Sequence, residues 1–138
     1  MPLSLPRPAF ELAYLSRLDA SDIIREYYRR IDAHDTAWVV DLFAEDATYD
    51  RADATYRGRA AIAHFFQVER QIRGSHTLDD LLCDARLGLV AVTGAFEGAG
   101  KAGDARNVGF ADVWRFNADQ RVIRRQTFLA LGSQYVRD

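Results

Sequence analysis

Cysteine, lysine and proline are nearly missing from this chain of 138 residues. The single cysteine, Cys83, rules out an internal disulfide, and its place in the apolar run Leu81-Leu82-Cys83 predicts a small core residue. All three prolines fall at positions 2, 6 and 8, so no later helix or strand is interrupted by one. Lys101 is the only lysine among 18 basic residues, which 20 acidic residues outweigh to a net charge of −2. The signs are mixed along the chain, which excludes the basic face of a nucleic-acid-binding module. No stretch approaches the ~18 consecutive apolar residues of a membrane span. The N-terminus lacks the basic-then-apolar pattern of a secretion signal, so a cytoplasmic protein with no membrane partner is expected. The histidines His34, His64 and His76 form no spaced ligand set with cysteine or carboxylate pairs, so a catalytic metal is not expected.

What is present suits a single domain, with 49% apolar residues to build its core. Residues 1–20 read as a proline-marked arm followed by a short helix through Phe10, Tyr14, Leu15 and Leu18. The domain proper spans 21–138. Ser21 reads as a helix N-cap, and Ile23, Ile24, Tyr27, Tyr28 and Ile31 recur as the apolar stripe of an amphipathic helix over 22–33. A second helix follows through Trp38, Val39, Leu42 and Phe43, then a short strand over 47–51. A third helix carries Ile62, Phe65 and Phe66. From His76 onward four strands are expected at 76–83, 87–97, 105–116 and 121–131. The glycine-rich segment 98–104 joins two of them, so it is a hairpin loop and no phosphate cradle. Helices first and antiparallel strands after predict an α+β fold, with the helices packed over one face of a curved sheet.

One strand position stands out. Strands alternate faces with period two, which puts Val108, Phe110, Asp112, Trp114 and Phe116 on one face. Four are large and apolar; the fifth is an acid. A buried carboxylate either holds its proton, and so becomes a candidate catalytic acid, or pairs with one of the many arginines.

The order of elements, together with Asp46-Ala47-Thr48, Tyr56-Arg57-Gly58, the strand ending Asp112-Val113-Trp114-Arg115-Phe116 and the closing Arg121-Val122-Ile123, resembles the SnoaL-like branch of the nuclear transport factor 2-like superfamily. That branch is similar to polyketide cyclases, ketosteroid isomerases and scytalone dehydratases. The resemblance spans about residues 20 to 132. It implies a cone-shaped antiparallel sheet with helices over its concave face, and a pocket between them. It places Tyr27 at the oxyanion-hole tyrosine of ketosteroid isomerases and Asp112 at their protonated aspartic acid, the position of the acid/base in SnoaL-type cyclases. In ketosteroid isomerases that tyrosine and a neutral aspartic acid together stabilise the charge that develops on the substrate oxygen. Asp32 and His76 fall at the carboxylate–histidine pair of the dehydratases. Tyr49, Arg51, Phe65, Phe110, Trp114 and Phe128 are expected to line the substrate site.

The departures from those families are also informative. Arg51 stands where a ketosteroid isomerase has its general base, and Thr127 where a limonene epoxide hydrolase has an aspartate, so neither activity is expected. The implied function is a cofactor-independent acid–base enzyme that cyclises, dehydrates or isomerises a small, apolar, oxygenated substrate of polyketide or terpenoid type. Dehydration by an Asp32–His76 pair and non-catalytic ligand binding are the alternatives. Replacing Asp112 is expected to reduce turnover far more than stability. A homodimer is expected, formed through an outer sheet face bearing Val113, Leu129 and Leu131.

Overall fold

The computed structural model describes residues 19–51 and 53–130. The expected N-terminal arm and Leu131 lie outside them, apart from Asp19 and Ala20.

Helix α1 (Ala20–Asp32) buries Ile23, Ile24, Tyr27, Tyr28 and Ile31, the stripe legible in the sequence. Its cap is Asp19 rather than Ser21: the Asp19 carboxylate accepts from the Asp22 N–H at 2.9 Å, satisfying a donor that the first turn leaves orphaned. Helix α2 (Thr36–Leu42) stops one residue before Phe43, which opens strand β1 (Phe43–Asp50). A three-residue strand β2 (Thr55–Arg57) returns along β1. Gly58, at φ 87°, then turns the chain into helix α3 (Arg59–His64), which widens into a π-helical turn at Phe65–Glu69. Strands β3 (Arg73–Asp84), β4 (Leu89–Ala99), β5 (Ala105–Phe116) and β6 (Val122–Leu129) complete the chain.

The sheet order is β2-β1-β6-β5-β4-β3. It is mixed, not wholly antiparallel as the sequence pattern suggested, because β1 runs parallel to β6. A parallel pair needs a long crossover, and here everything from β2 to β5 serves as one. The loop after β4 is a hairpin, closed by the Gly100 N–H donating to the Asp104 carbonyl at 2.8 Å. The core lies between the helices and one sheet face, with Trp114, Phe43 and Tyr49 fully buried at its centre.

Two bulges decide which side chains face this core. In β3 the register jumps between Leu78 and Asp80, so Leu81 turns inward and Leu82 is 72% exposed, the reverse of what strict alternation from His76 would give. Cys83, read as a core residue, is exposed at the end of this edge strand. In β6 the register jumps between Val122 and Arg124, so Asp112 pairs with Thr127 and Phe110 with Leu129. Without that extra residue, Gln126 and Phe128 would share the face of Asp112, since directly paired residues lie on the same side. With it, Arg125, Thr127 and Leu129 face inward. Phe128, expected in the pocket, is 55% exposed on the outer face, and Leu129, expected outside, lines the cavity.

Candidate active site

Between the helices and the sheet lies a cavity of about 530 Å³, within the range that holds a small organic ligand. Tyr27, Tyr49, Arg51, His76, Phe110 and Asp112 line it, six of the ten residues singled out from the sequence. Trp114 and Phe65 do not. Trp114 is buried in the core beneath the cavity floor. Phe65 packs edge-on to Tyr49 and carries the Arg51 guanidinium at 4.7 Å from its ring. Both support the lining residues and leave contact with a ligand to their neighbours.

Asp112 is 1% exposed and reaches the cavity, as the alternation of β5 requires. It is not alone there, which corrects the picture of a solitary acid retaining its proton. Its Oδ2 accepts from Arg125 Nη2 at 2.9 Å and from the Tyr28 hydroxyl, while its Oδ1 accepts from the Thr127 hydroxyl at 2.5 Å. Arg125 supplies the compensating charge. Burial works against its guanidinium, but Asp112 and the surrounding phenols hold its pKa well above the ordinary arginine value. The cation also lies over three rings, 4.4 Å from Trp114, 4.6 Å from Tyr49 and 4.8 Å from Tyr27. Its other arm, Nη1, donates to the Tyr27 hydroxyl at 2.5 Å. Arg125, Thr127 and Tyr28 were not singled out from the sequence. Tyr28 carried a signal, its place on the α1 stripe; the other two depended on a register that the β6 bulge set.

The two phenols in this cluster differ. Thr127 Oγ1 has one hydrogen, which its shorter contact commits to Asp112; the 3.2 Å contact with Tyr49 is then a donation from the Tyr49 hydroxyl. Tyr27 receives from Arg125 and has no acceptor for its own proton among the described residues. Burial pushes its pKa up to about 12, so that proton stays in place at neutral pH. Tyr27 is therefore a polarised donor with a spare hydrogen, opening onto the cavity.

His76 sits in β3 opposite Phe96, with its ring packed among Phe96, Tyr28 and Phe110 at centroid distances of 5.0, 5.2 and 5.4 Å. Gly94 gives that arrangement its room, since a Cβ there would lie 3.0 Å from the Phe110 ring and 2.2 Å from the Thr77 carbonyl oxygen. As β3 is an edge strand, the His76 backbone N–H is free to leave the sheet. It donates to Asp32 Oδ2 at 2.9 Å, and ring Nδ1 lies 2.6 Å from Asp32 Oδ1. Asp32 ends α1, so one carboxylate fastens the helix terminus to the sheet edge and grips the imidazole. A carboxylate only accepts, so Nδ1 carries the hydrogen and Nε2 holds the lone pair. Burial lowers the His76 pKa below the ordinary 6.5; Asp32 opposes this and the cations Arg70 and Arg125 add to it. At neutral pH the ring is an uncharged base. Nε2 has no protein partner among the described residues, and the ring borders the cavity.

Sequence and structure comparisons identify this arrangement's family. The model of the SnoaL-like domain matches residues 24–125. The chain belongs to the SnoaL-like domain family. Among solved structures, the epoxide hydrolase/cyclase-like enzyme SalBIII, of pyran ring formation in polyether salinomycin, is similar at TM-score 0.71 and 21% identity, over 81% of this chain and 91% of that one. An NTF2-like protein from Burkholderia pseudomallei matches at TM-score 0.70 and 19% identity, over 79% and 88% of the two chains. A protein of ketosteroid isomerase-like fold from Catenulispora acidiphila, in complex with trimethylamine, matches at TM-score 0.68 and 20% identity, over 80% and 87%. Likeness at these identities shows the shared fold alone. No curated protein matches the sequence. No helix among the described residues is long and apolar enough to cross a membrane.

Proposed function

We propose that this SnoaL-like domain is a cofactor-independent acid–base enzyme that moves a proton on a small oxygenated substrate, by dehydration or isomerisation, with His76 as the proton-transferring group. The observation that carries this reading is the Asp32–His76 pair: a neutral imidazole, fixed in one tautomer, whose unpartnered Nε2 borders the cavity. Nε2 would take a proton from a carbon beside a carbonyl, and the electron pair left behind would move onto the carbonyl oxygen. The Tyr27 hydroxyl, polarised by Arg125, is the donor for that oxygen. The imidazolium then returns the proton, either to a leaving hydroxyl, which departs as water, or to another carbon. Asp32 stabilises the imidazolium while it exists. In this reading Asp112 anchors Arg125, Tyr28 and Thr127; it is the buried counter-charge that holds the donor cluster in shape.

Incubation with β-hydroxy ketone and enone probes in deuterated water, followed by proton NMR, tests this. The wild-type protein is expected to eliminate water from the β-hydroxy ketones or to exchange the proton beside the carbonyl. His76→Ala should do neither. Binding of the same probes with no exchange or elimination would instead favour a ligand-binding domain of this fold.

A further inference from the structure

Arg70 follows the π-helical turn, whose wide ring is closed by the Arg70 N–H donating to the Phe65 carbonyl at 2.8 Å. Its side chain lines the cavity. Among the described residues, four arginines have no protein acceptor for the guanidinium within hydrogen-bond or ion-pair distance: Arg57, Arg70, Arg73 and Arg115. Three of them are exposed and are solvated by water. Arg70 is not. The other cations of the cavity are already committed. Arg125 pairs with Asp112, and Arg106 with Asp104 at 2.5 Å. Arg51 donates to the Tyr49 hydroxyl at 2.9 Å and faces Asp53 at 3.6 Å.

Burying a cation with no counter-ion is costly, and burial accordingly lowers the pKa of Arg70. Asp112, the only carboxylate on the cavity wall among the described residues, is fully engaged elsewhere. The cavity therefore presents a guanidinium without a contact partner amid apolar walls such as Phe96, Phe110 and Leu129, with Asp32 acting on it only from beyond ion-pair distance. A neutral terpenoid or polyketide would leave that charge uncompensated. We propose that the substrate carries a carboxylate, and that Arg70 is the residue that binds it. This deepens the proposed function by naming a substrate class: an oxygenated carboxylic acid, whose acid group sits on Arg70 and whose reacting carbon is offered to His76. A planar guanidinium suits this task, because two of its N–H groups match the two oxygens of a carboxylate.

The test is a matched pair of probes, 4-phenylbutanoate and 4-phenylbutanamide, titrated by calorimetry into the wild-type protein, Arg70→Gln, Arg70→Lys and the exposed control Arg115→Gln. The wild type and the control should bind the acid about 10- to 100-fold more tightly than the amide, the value of a charge-assisted hydrogen bond. Arg70→Gln should bind the two equally, and Arg70→Lys should keep part of the preference. Equal affinity for both probes in the wild type, binding of neither at millimolar concentration, or an undiminished preference in Arg70→Gln would overturn the proposal. The wild-type comparison holds even if a variant fails to fold. His76→Ala separates this proposal from the catalytic one, since it should retain the preference for the acid whether or not His76 moves protons.

Discussion

Asp112 and His76 border the same cavity, and each has a partner of opposite character, yet the two sites are built differently. Around Asp112 both oxygens are taken by Arg125, Tyr28 and Thr127. Around His76 the carboxylate of Asp32 takes one ring nitrogen and leaves the other open. A buried charge whose hydrogen bonds are complete has little left with which to act on a substrate. A buried base with one free lone pair has a use for it. Depth of burial alone made Asp112 the conspicuous residue of the sequence; the count of unspent hydrogen-bonding positions points to His76 and Tyr27.

The largest effect expected from this contrast is on turnover. His76→Ala should lower it by about 10²- to 10⁴-fold, the usual cost of losing a general base, and also reduce stability in a urea melt because a ring packed among three aromatics is removed. Next comes stability. Arg125→Met should cost about 3–5 kcal/mol in urea unfolding, because Asp112 is left as a buried charge without its partner. Asp112→Ala should cost a similar amount by stranding Arg125, which revises the expectation that turnover would suffer far more than stability. The double variant Asp112→Asn with Arg125→Met should recover much of that loss. If Asp112 variants kept full stability while losing all activity, the contrast between a closed cluster and an open base would collapse.

A smaller change should follow Asp32→Asn. The amide can donate to Nδ1 and so favour the tautomer with its hydrogen on Nε2, lowering turnover by less than loss of the ring does. Equal damage from the two variants would assign Asp32 a part beyond orienting the ring. The pH dependence sharpens the same point. The His76 pKa lies below 6.5 in the fold, so activity should be flat across neutral pH and fall in acid as Nε2 is protonated. Stability has the same sign. The unfolded ring takes up a proton near pH 6.5 while the folded ring resists, so this contribution is lost as pH falls below that value.

The smallest effect tests the bulge in β6. Phe128→Ser should leave ligand affinity unchanged and shift stability by no more than about 0.5 kcal/mol, since the ring is on the outer face. The outcome bears on what the sequence made legible. The α1 stripe, the four long strands, the inward face of β5 and the Asp32–His76 pair could all be read from residues in order. Each depends on local periodicity or on a family position. Arg125, Thr127, Leu129 and Phe128 could not be placed, because one extra residue at Ile123 reverses the faces of β6 beyond it, and a bulge has no reliable mark in sequence. The same holds for Leu82 beyond the bulge in β3. The parallel pairing of β1 with β6 joins residues far apart in the chain, where local periodicity carries no information.

The central claim, that His76 is a neutral base held in one tautomer with Nε2 free, needs no substrate to test. Nitrogen-15 NMR of the histidine rings across pH 5 to 8, with His76→Ala for assignment, reports it directly. The prediction is a His76 ring at pH 7 with its hydrogen on Nδ1 and a bare Nε2, gaining a proton only below pH 6.5. A ring already charged at pH 7, or one with its hydrogen on Nε2, would contradict the account.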